Sequence, residues 1–346
     1  MENSIHTKHW VMMSSLGVVW GSTFLFIELA LQGITPLWLT SARIVFAAAV
    51  TSMVWFAYGG KLFTTNEKAW GRLGLIGIIS TALPFQLISW GQQYVTSSFA
   101  GLAMASMPLF VLPLAYLFKT NESLDGKKFI GLIIGFVGII ILFSPDFSSS
   151  KDVSPLTTLG KFACIAAAFC YASNSILMRK LPGIDPIGLA AICLLIGSIW
   201  VVLWAFAIEG APPKVSTDTF FILILLGLLP TATANFIRVV LIREAGPVFL
   251  SITNYIVPLW AAMVGVLVLN ETLPIEFYVA AVITITATSF LTAISFSLSI
   301  LLFSNVRASL SFTCASRCMT IGPSTIISLA IVIANSLATR SISEVN

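Results

Sequence analysis

Charge is what this sequence most lacks. Lys, Arg, Asp and Glu together make up 9% of the 346 residues, where soluble domains carry roughly 25%. With 58% hydrophobic residues and a mean hydropathy of +0.99, most of the surface must be solvated by lipid rather than water. The net charge of +4 is small and dispersed, which argues against nucleic acid as a partner. Histidine is nearly absent too. His6 and His9 both stand near the N-terminus, so no histidine relay can operate within an apolar run. There is no Gly-x-Ser-x-Gly, no His-Glu-x-x-His and no Walker-type phosphate loop, which leaves no catalytic residues to assign and no nucleotide to drive work. Cys164, Cys170 and Cys193 lie in apolar runs and behave as small hydrophobes. Cys314 and Cys318 have no companion pair, so no disulfide framework, metal site or cofactor is expected.

What is present is a series of apolar runs near the roughly 20 residues a membrane-crossing helix needs. They fall at 10–31, 36–57, 69–90, 97–118 and 127–144, and again at 157–178, 187–208, 218–240, 247–269 and 274–296. Pro or Gly marks most of the turns between them, as helix stops require. The first run has spanning length and no small-residue cleavage site, so it is expected to be an anchor rather than a signal peptide. Placing the N-terminus in the cytoplasm gathers Lys8, Lys61, Lys68, Arg72, Lys119, Lys127, Lys128, Arg179, Lys180, Arg238 and Arg243 on one side. Only Lys151, Lys161 and Lys214 fall on the other. That bias follows the positive-inside rule through both halves.

The two sets of five runs resemble each other. A shift of 150 residues sets Gly33-Ile34-Thr35-Pro36 on Gly183-Ile184-Asp185-Pro186 and Gly77 on Gly227. It also sets Thr81-Ala82 on Thr231-Ala232, Phe99 on Phe249 and Pro108-Leu109 on Pro258-Leu259. Shared helix punctuation could produce a few such matches, but less readily matched Gly and Pro at the same places. Five is odd, so the second unit enters the membrane from the opposite side and the halves are inverted. The expected fold is an all-α integral membrane protein of ten transmembrane helices in two inverted five-helix repeats. The expected divisions are a cytoplasmic tail (1–9), a first repeat (10–144), an external linker (145–156), a second repeat (157–296) and an atypical tail (297–346). Inverted repeats suit alternating access, with a solute site near the midplane.

Three stretches carry a family resemblance: WGSTFLFIELALQGITPLWLTSAR, TALPFQLISWGQQYVTSSFAGLAMASMPLF and FKTNESLDGKKFIGLIIGFVGIIIL. The second half echoes them and ends in NYIVPLWAAMVGVLVLNETL. Over residues 10–295 the chain resembles EamA-type members of the drug/metabolite transporter superfamily. The resemblance implies two inverted bundles around a central cavity and export or exchange of metabolites such as amino acids. It does not identify the solute. The partners implied are the lipid bilayer and a small-molecule solute, in a bacterial cytoplasmic (inner) membrane with the N-terminus inside. A membrane sensor or accessory protein that uses the fold without moving solute is the alternative. Oligomeric state is not legible.

Polar residues inside apolar spans are functional candidates, because each is costly in lipid, although such groups also hydrogen-bond helices together. Thr231, Asn235 and Arg238 stand at i, i+4 and i+7, on one helix face; for Arg238, snorkelling to the interface is a rival role. Gln86, Ser89 and Gln93 share a face of the third span with Trp90 beside them. Gln86 and Trp90 are cavity candidates. Trp20 lies mid-membrane, and its repeat counterpart Tyr171 is followed by Asn174 a turn later. Asn254 and Tyr255 precede Pro258, and Pro258 and Pro108 are expected to break their helices and free carbonyls. Glu28 and Arg43 lie about 7 and 10 Å from the turn that joins their spans, at 1.5 Å per residue. An ion pair between them, or a coupling site, is expected. Glu28 shares its face with Gly17 and Gly21, a close-packing pattern. Glu122 and Glu271, at span ends beside loops, are expected to be caps or hairpin pins. A further apolar run at 321–338 could be an eleventh helix, a disordered end or an altered reading frame.

Overall fold

The computed structural model describes residues 6–65, 69–118, 126–148, 154–178, 181, 183–245, 247–250 and 252–287. All belong to the first of two compact units, Met1–Ser289. The tail at 297–346 with its apolar run at 321–338, Glu122 and residues 149–153 of the 145–156 linker lie outside the described residues.

Among the described residues, seven helices are long and apolar enough to cross a membrane: α1 (Thr7–Leu31), α2 (Pro36–Ala57), α3 (Trp70–Gly91), α4 (Ser97–Leu117), α6 (Pro155–Met178), α7 (Pro186–Glu209) and α8 (Thr217–Arg238). Helix α5 (Gly126–Ser148) is apolar over Lys128–Phe143, and α9 (Thr253–Leu269) and α10 (Ile275–Ala287) are shorter apolar helices. Helix α8 continues beyond its apolar span to Ala245. The starts are written locally. Pro36 and Pro186 occupy the first helical turn, where a missing N–H costs nothing. Asp185 accepts from the Gly188 N–H at 2.8 Å, Thr96 from Phe99 at 3.2 Å and Ser216 from Thr219 at 3.1 Å, each satisfying an end-turn donor. Gly210 (φ 75°) follows α7 and Asn270 (φ 53°) follows α9, both in the left-handed region that ends helices.

Regular helix is interrupted at related places. Helix α3 contains a π-helical stretch at Ile78–Ala82, and α8 one at Gly227–Thr233. Helix α4 breaks between Met104 and Met107. A single turn, Pro247–Leu250, precedes α9. The expected break at Pro108 therefore lies just upstream of that proline, which sits in the first turn of the resumed helix. The expected break at Pro258 is not found: Pro258 is inside α9, and the interruption precedes Thr253.

Packing runs between the halves. Helix α2 lies along α7, α1 along α9, and α6 along the ends of α3 and α4. Two glycines show how closely. A Cβ at Gly227 would meet the Arg43 carbonyl at 3.0 Å, and one at Gly77 would meet the Cys193 carbonyl at 3.2 Å. Gly77 and Gly227 differ by 150 positions, and so do Arg43 and Cys193. The π-helical stretch of α8 thus rests on α2 as that of α3 rests on α7. Polarity is arranged for an apolar solvent. Met53, Phe56, Leu203, Phe221, Leu267 and Val282 are exposed, whereas Thr40, Ser41, Arg43, Thr51, Ser89 and Thr231 are buried.

Candidate functional site

Helix α2 buries Leu39, Thr40, Arg43, Ile44, Ala47 and Thr51, and Arg43 is the one charged residue on that face. It is 4% exposed. Its Nε donates to Thr231 Oγ1 at 2.9 Å, and its Cζ lies 3.9 Å from the centre of the Phe85 ring, a cation–π contact. Tyr171 packs in the same apolar cluster as Phe85 and lies within electrostatic reach of the guanidinium. Four helices, α2, α3, α6 and α8, thus converge on one cation.

The π-helical stretch of α8 explains the hydrogen bonding around it. Widening the helix displaces carbonyls from their ordinary N–H partners, and side chains answer them. Thr231 Oγ1 donates to the Leu226 carbonyl at 2.9 Å, and Asn235 Nδ2 donates to the Thr231 carbonyl at 2.6 Å. Trp20 Nε1 donates to the Pro230 carbonyl at 3.2 Å, so the mid-span tryptophan of α1 is fixed against α8. Thr231 and Asn235 are therefore brought together with Trp20 and Arg43. Arg238 sits two turns further on, partly buried.

The Glu28–Arg43 ion pair is not formed. Arg43 bonds to Thr231, whereas Glu28 Oε2 is buried with no hydrogen-bond partner. Gln92 Nε2 donates to the Phe24 carbonyl at 2.9 Å. The physical reason is helix placement. Helix α1 packs on α9 and α2 on α7, so joined neighbours do not share their buried faces. Glu271 takes the capping role expected of it. Its carboxylate accepts from Ser97 N at 2.7 Å, Ser98 N at 3.1 Å and Ser98 Oγ, closing the start of α4 where the helix dipole favours an anion.

Gln86 and Trp90 line a cavity of about 500 Å³ at the end of the bundle that carries the α1–α2 turn, together with Pro36, Gln93, Trp204 and Glu209. Ser89, expected on their face, is instead buried and bonded to Thr40 at 3.2 Å. Asn174 is 9% exposed, and its Oδ1 is buried without a donor; so is Gln86 Oε1. Asn254 and Tyr255 lie partly buried in the first turn of α9. Phe85, the Pro230 carbonyl and Gln92 escaped sequence reading. The first is one apolar residue among many, and the second depends on a local change of helix type.

At the opposite end, Glu244 Oε2 binds Lys8 Nζ at 2.5 Å and His9 Nε2 at 3.1 Å. These two partners hold its carboxyl below the ordinary carboxylate range.

The EamA-like transporter family matches this chain twice, over residues 9–144 and 158–293. The chain belongs to that family. It is a multi-pass membrane protein, and the family points to a transporter rather than an enzyme. It is 22% identical over 271 residues to the uncharacterized transporter YoaV of Bacillus subtilis, covering 78% of this chain and 91% of that protein. It is also 22% identical over 294 residues to an uncharacterized transporter of Archaeoglobus fulgidus, covering 84% and 99%. One solved crystal structure aligns over 85% of this chain and 99% of its own, with a TM-score of 0.59 at 16% identity, a likeness of fold.

Proposed function

We propose that the chain is a secondary, nucleotide-independent transporter of small organic metabolites, exporting amino acids or related compounds by alternating access. In this reading residues 10–144 and 157–296 are two inverted five-helix repeats, and the N-terminus lies in the cytoplasm of a bacterial cell. The cavity lined by Gln86 and Trp90 is then external. The observation that carries the reading is the matched packing of Gly227 on Arg43 and of Gly77 on Cys193. Two interfaces of the same construction, each joining one half to the other, are what a carrier needs if its halves are to exchange conformations. Trp20, Tyr171, Asn174, Asn235, Arg238, Asn254 and Tyr255 are the residues assigned to the solute path. Purified protein in liposomes tests it. Saturable flux of a metabolite with no nucleotide added supports the proposal, and no flux across a broad metabolite panel refutes it.

A further inference from the structure

The structure assigns Arg43 as the residue that recognises a solute carboxylate, making the central site selective for carboxylate-bearing solutes over amines and amides of the same shape. The inference rests on the transporter reading and deepens it.

A guanidinium has five donors, and the described residues give that of Arg43 one hydrogen bond, at Nε. No carboxylate lies within ion-pair distance of it among the described residues; the acidic side chain expected there, Glu28, has a buried Oε2 with no hydrogen-bond partner of its own. A buried cation without a counter-ion is costly, all the more inside a membrane, where such residues mark solute pathways.

Packing does not demand the charge. The equivalent position in the other half is Cys193, 150 residues on. There the same helix-on-π-stretch contact closes with a buried neutral side chain, its backbone meeting Gly77 as the Arg43 backbone meets Gly227. Thr81, the counterpart of Thr231, bonds back to the Gly77 carbonyl at 2.8 Å and needs no arginine. The cation is thus an addition to one half of an otherwise matched pair of interfaces.

Two buried amide oxygens on the helices that carry Phe85 and Tyr171 have the complementary need. Gln86 follows Phe85, the ring under the guanidinium, and Asn174 lies one turn from Tyr171. Both present buried amide oxygens that lack a donor. A solute with both a carboxylate and an ammonium satisfies the two kinds of unpaired group. An organic cation would be repelled by Arg43, and a simple anion would leave the amide oxygens unpaired.

The test is ligand-dependent thermal unfolding of the purified full chain in detergent. The probes are apolar and aromatic amino acids, their carboxamides and their decarboxylated amines. Flux of the same compounds is followed in liposomes. The free acids should stabilise the protein, with carboxamides and amines binding roughly ten- to a hundredfold more weakly, the range of one charge-assisted hydrogen-bonded contact. R43Q should erase that preference, and R43K should keep part of it. If R43Q does not fold, the acid, amide and amine series on the unaltered protein still decides. Amides or amines binding as tightly as acids, or no acid binding while metabolite flux persists, overturns the role of Arg43 and leaves transport standing. Absence of all flux overturns the transporter reading itself.

Discussion

Gly21 is where α1 and α9 touch most directly through backbone, and Gly21→Ala tests that contact. A Cβ there would lie 2.9 Å from the Val257 carbonyl oxygen, 2.9 Å from Trp260 Cδ1 and 3.0 Å from Trp260 Cβ. A helical carbonyl cannot rotate aside, and the Trp260 indole is held by its 2.8 Å bond from Nε1 to Ser22 Oγ. The helices must therefore move apart by a few tenths of an ångström. Alanine gains about 1 kcal/mol of helix propensity, while overpacking of a close interface costs about 1–3 kcal/mol. Loss of the Trp260–Ser22 bond would add about 1 kcal/mol. The balance is a destabilisation of about 1–3 kcal/mol. Gly74→Ala is the control, because nothing lies within 4 Å of a Cβ there. Thermal unfolding in detergent, followed by tryptophan fluorescence, should place Gly21→Ala below the unaltered protein and Gly74→Ala at or above it. A Gly21→Ala variant as stable as Gly74→Ala would refute the close approach of α1 and α9.

Glu271→Gln leaves the Ser97 and Ser98 N–H groups with a neutral acceptor in place of a carboxylate. The loss of about 1–2 kcal/mol should appear as faster amide hydrogen exchange at the start of α4, and unchanged exchange there would contradict the clamp. Trp20→Phe keeps the ring but removes the donor to the Pro230 carbonyl; flux should fall while the helix content measured by circular dichroism holds. Glu244 has a native pKa held below its ordinary value of 4.5 by Lys8 and His9. Its contribution is therefore whole above about pH 4.5 and is lost as pH falls through the lower native value. Unfolding temperature measured downward from pH 6 should drop less steeply in Glu244→Gln than in the unaltered protein, and parallel curves would remove the pairing from the account.

Much of this fold is legible in the sequence because lipid leaves the chain few choices. Every backbone group must be satisfied within its span, so runs of spanning length with Pro or Gly between them give the helices almost directly. The 150-residue register also pointed to Gly77 and Gly227, which prove to be contact points between helices. The side-chain partners were less legible. Depth arithmetic placed Glu28 and Arg43 at similar levels, but level says nothing of azimuth, and their helices turn different faces to different neighbours. The face proposed for Gln86, Ser89 and Gln93 failed at Ser89, because Trp90 rather than Ser89 joins Gln86 and Gln93 at the cavity. Thr231 was on the expected stripe, yet its partnership with Arg43 spans 188 residues of sequence and no local pattern announces it.

Alternating access is most directly tested by thiol labelling from the two sides of the membrane, in a variant with the five native cysteines replaced. Gln86→Cys reports the end that carries the α1–α2 turn, and Arg238→Cys the other. With a membrane-impermeant maleimide and a transported solute supplied on one side, the account requires reciprocal change: labelling at one position rises as the other falls. Labelling that rises or falls together at both positions, or ignores the solute, would contradict it.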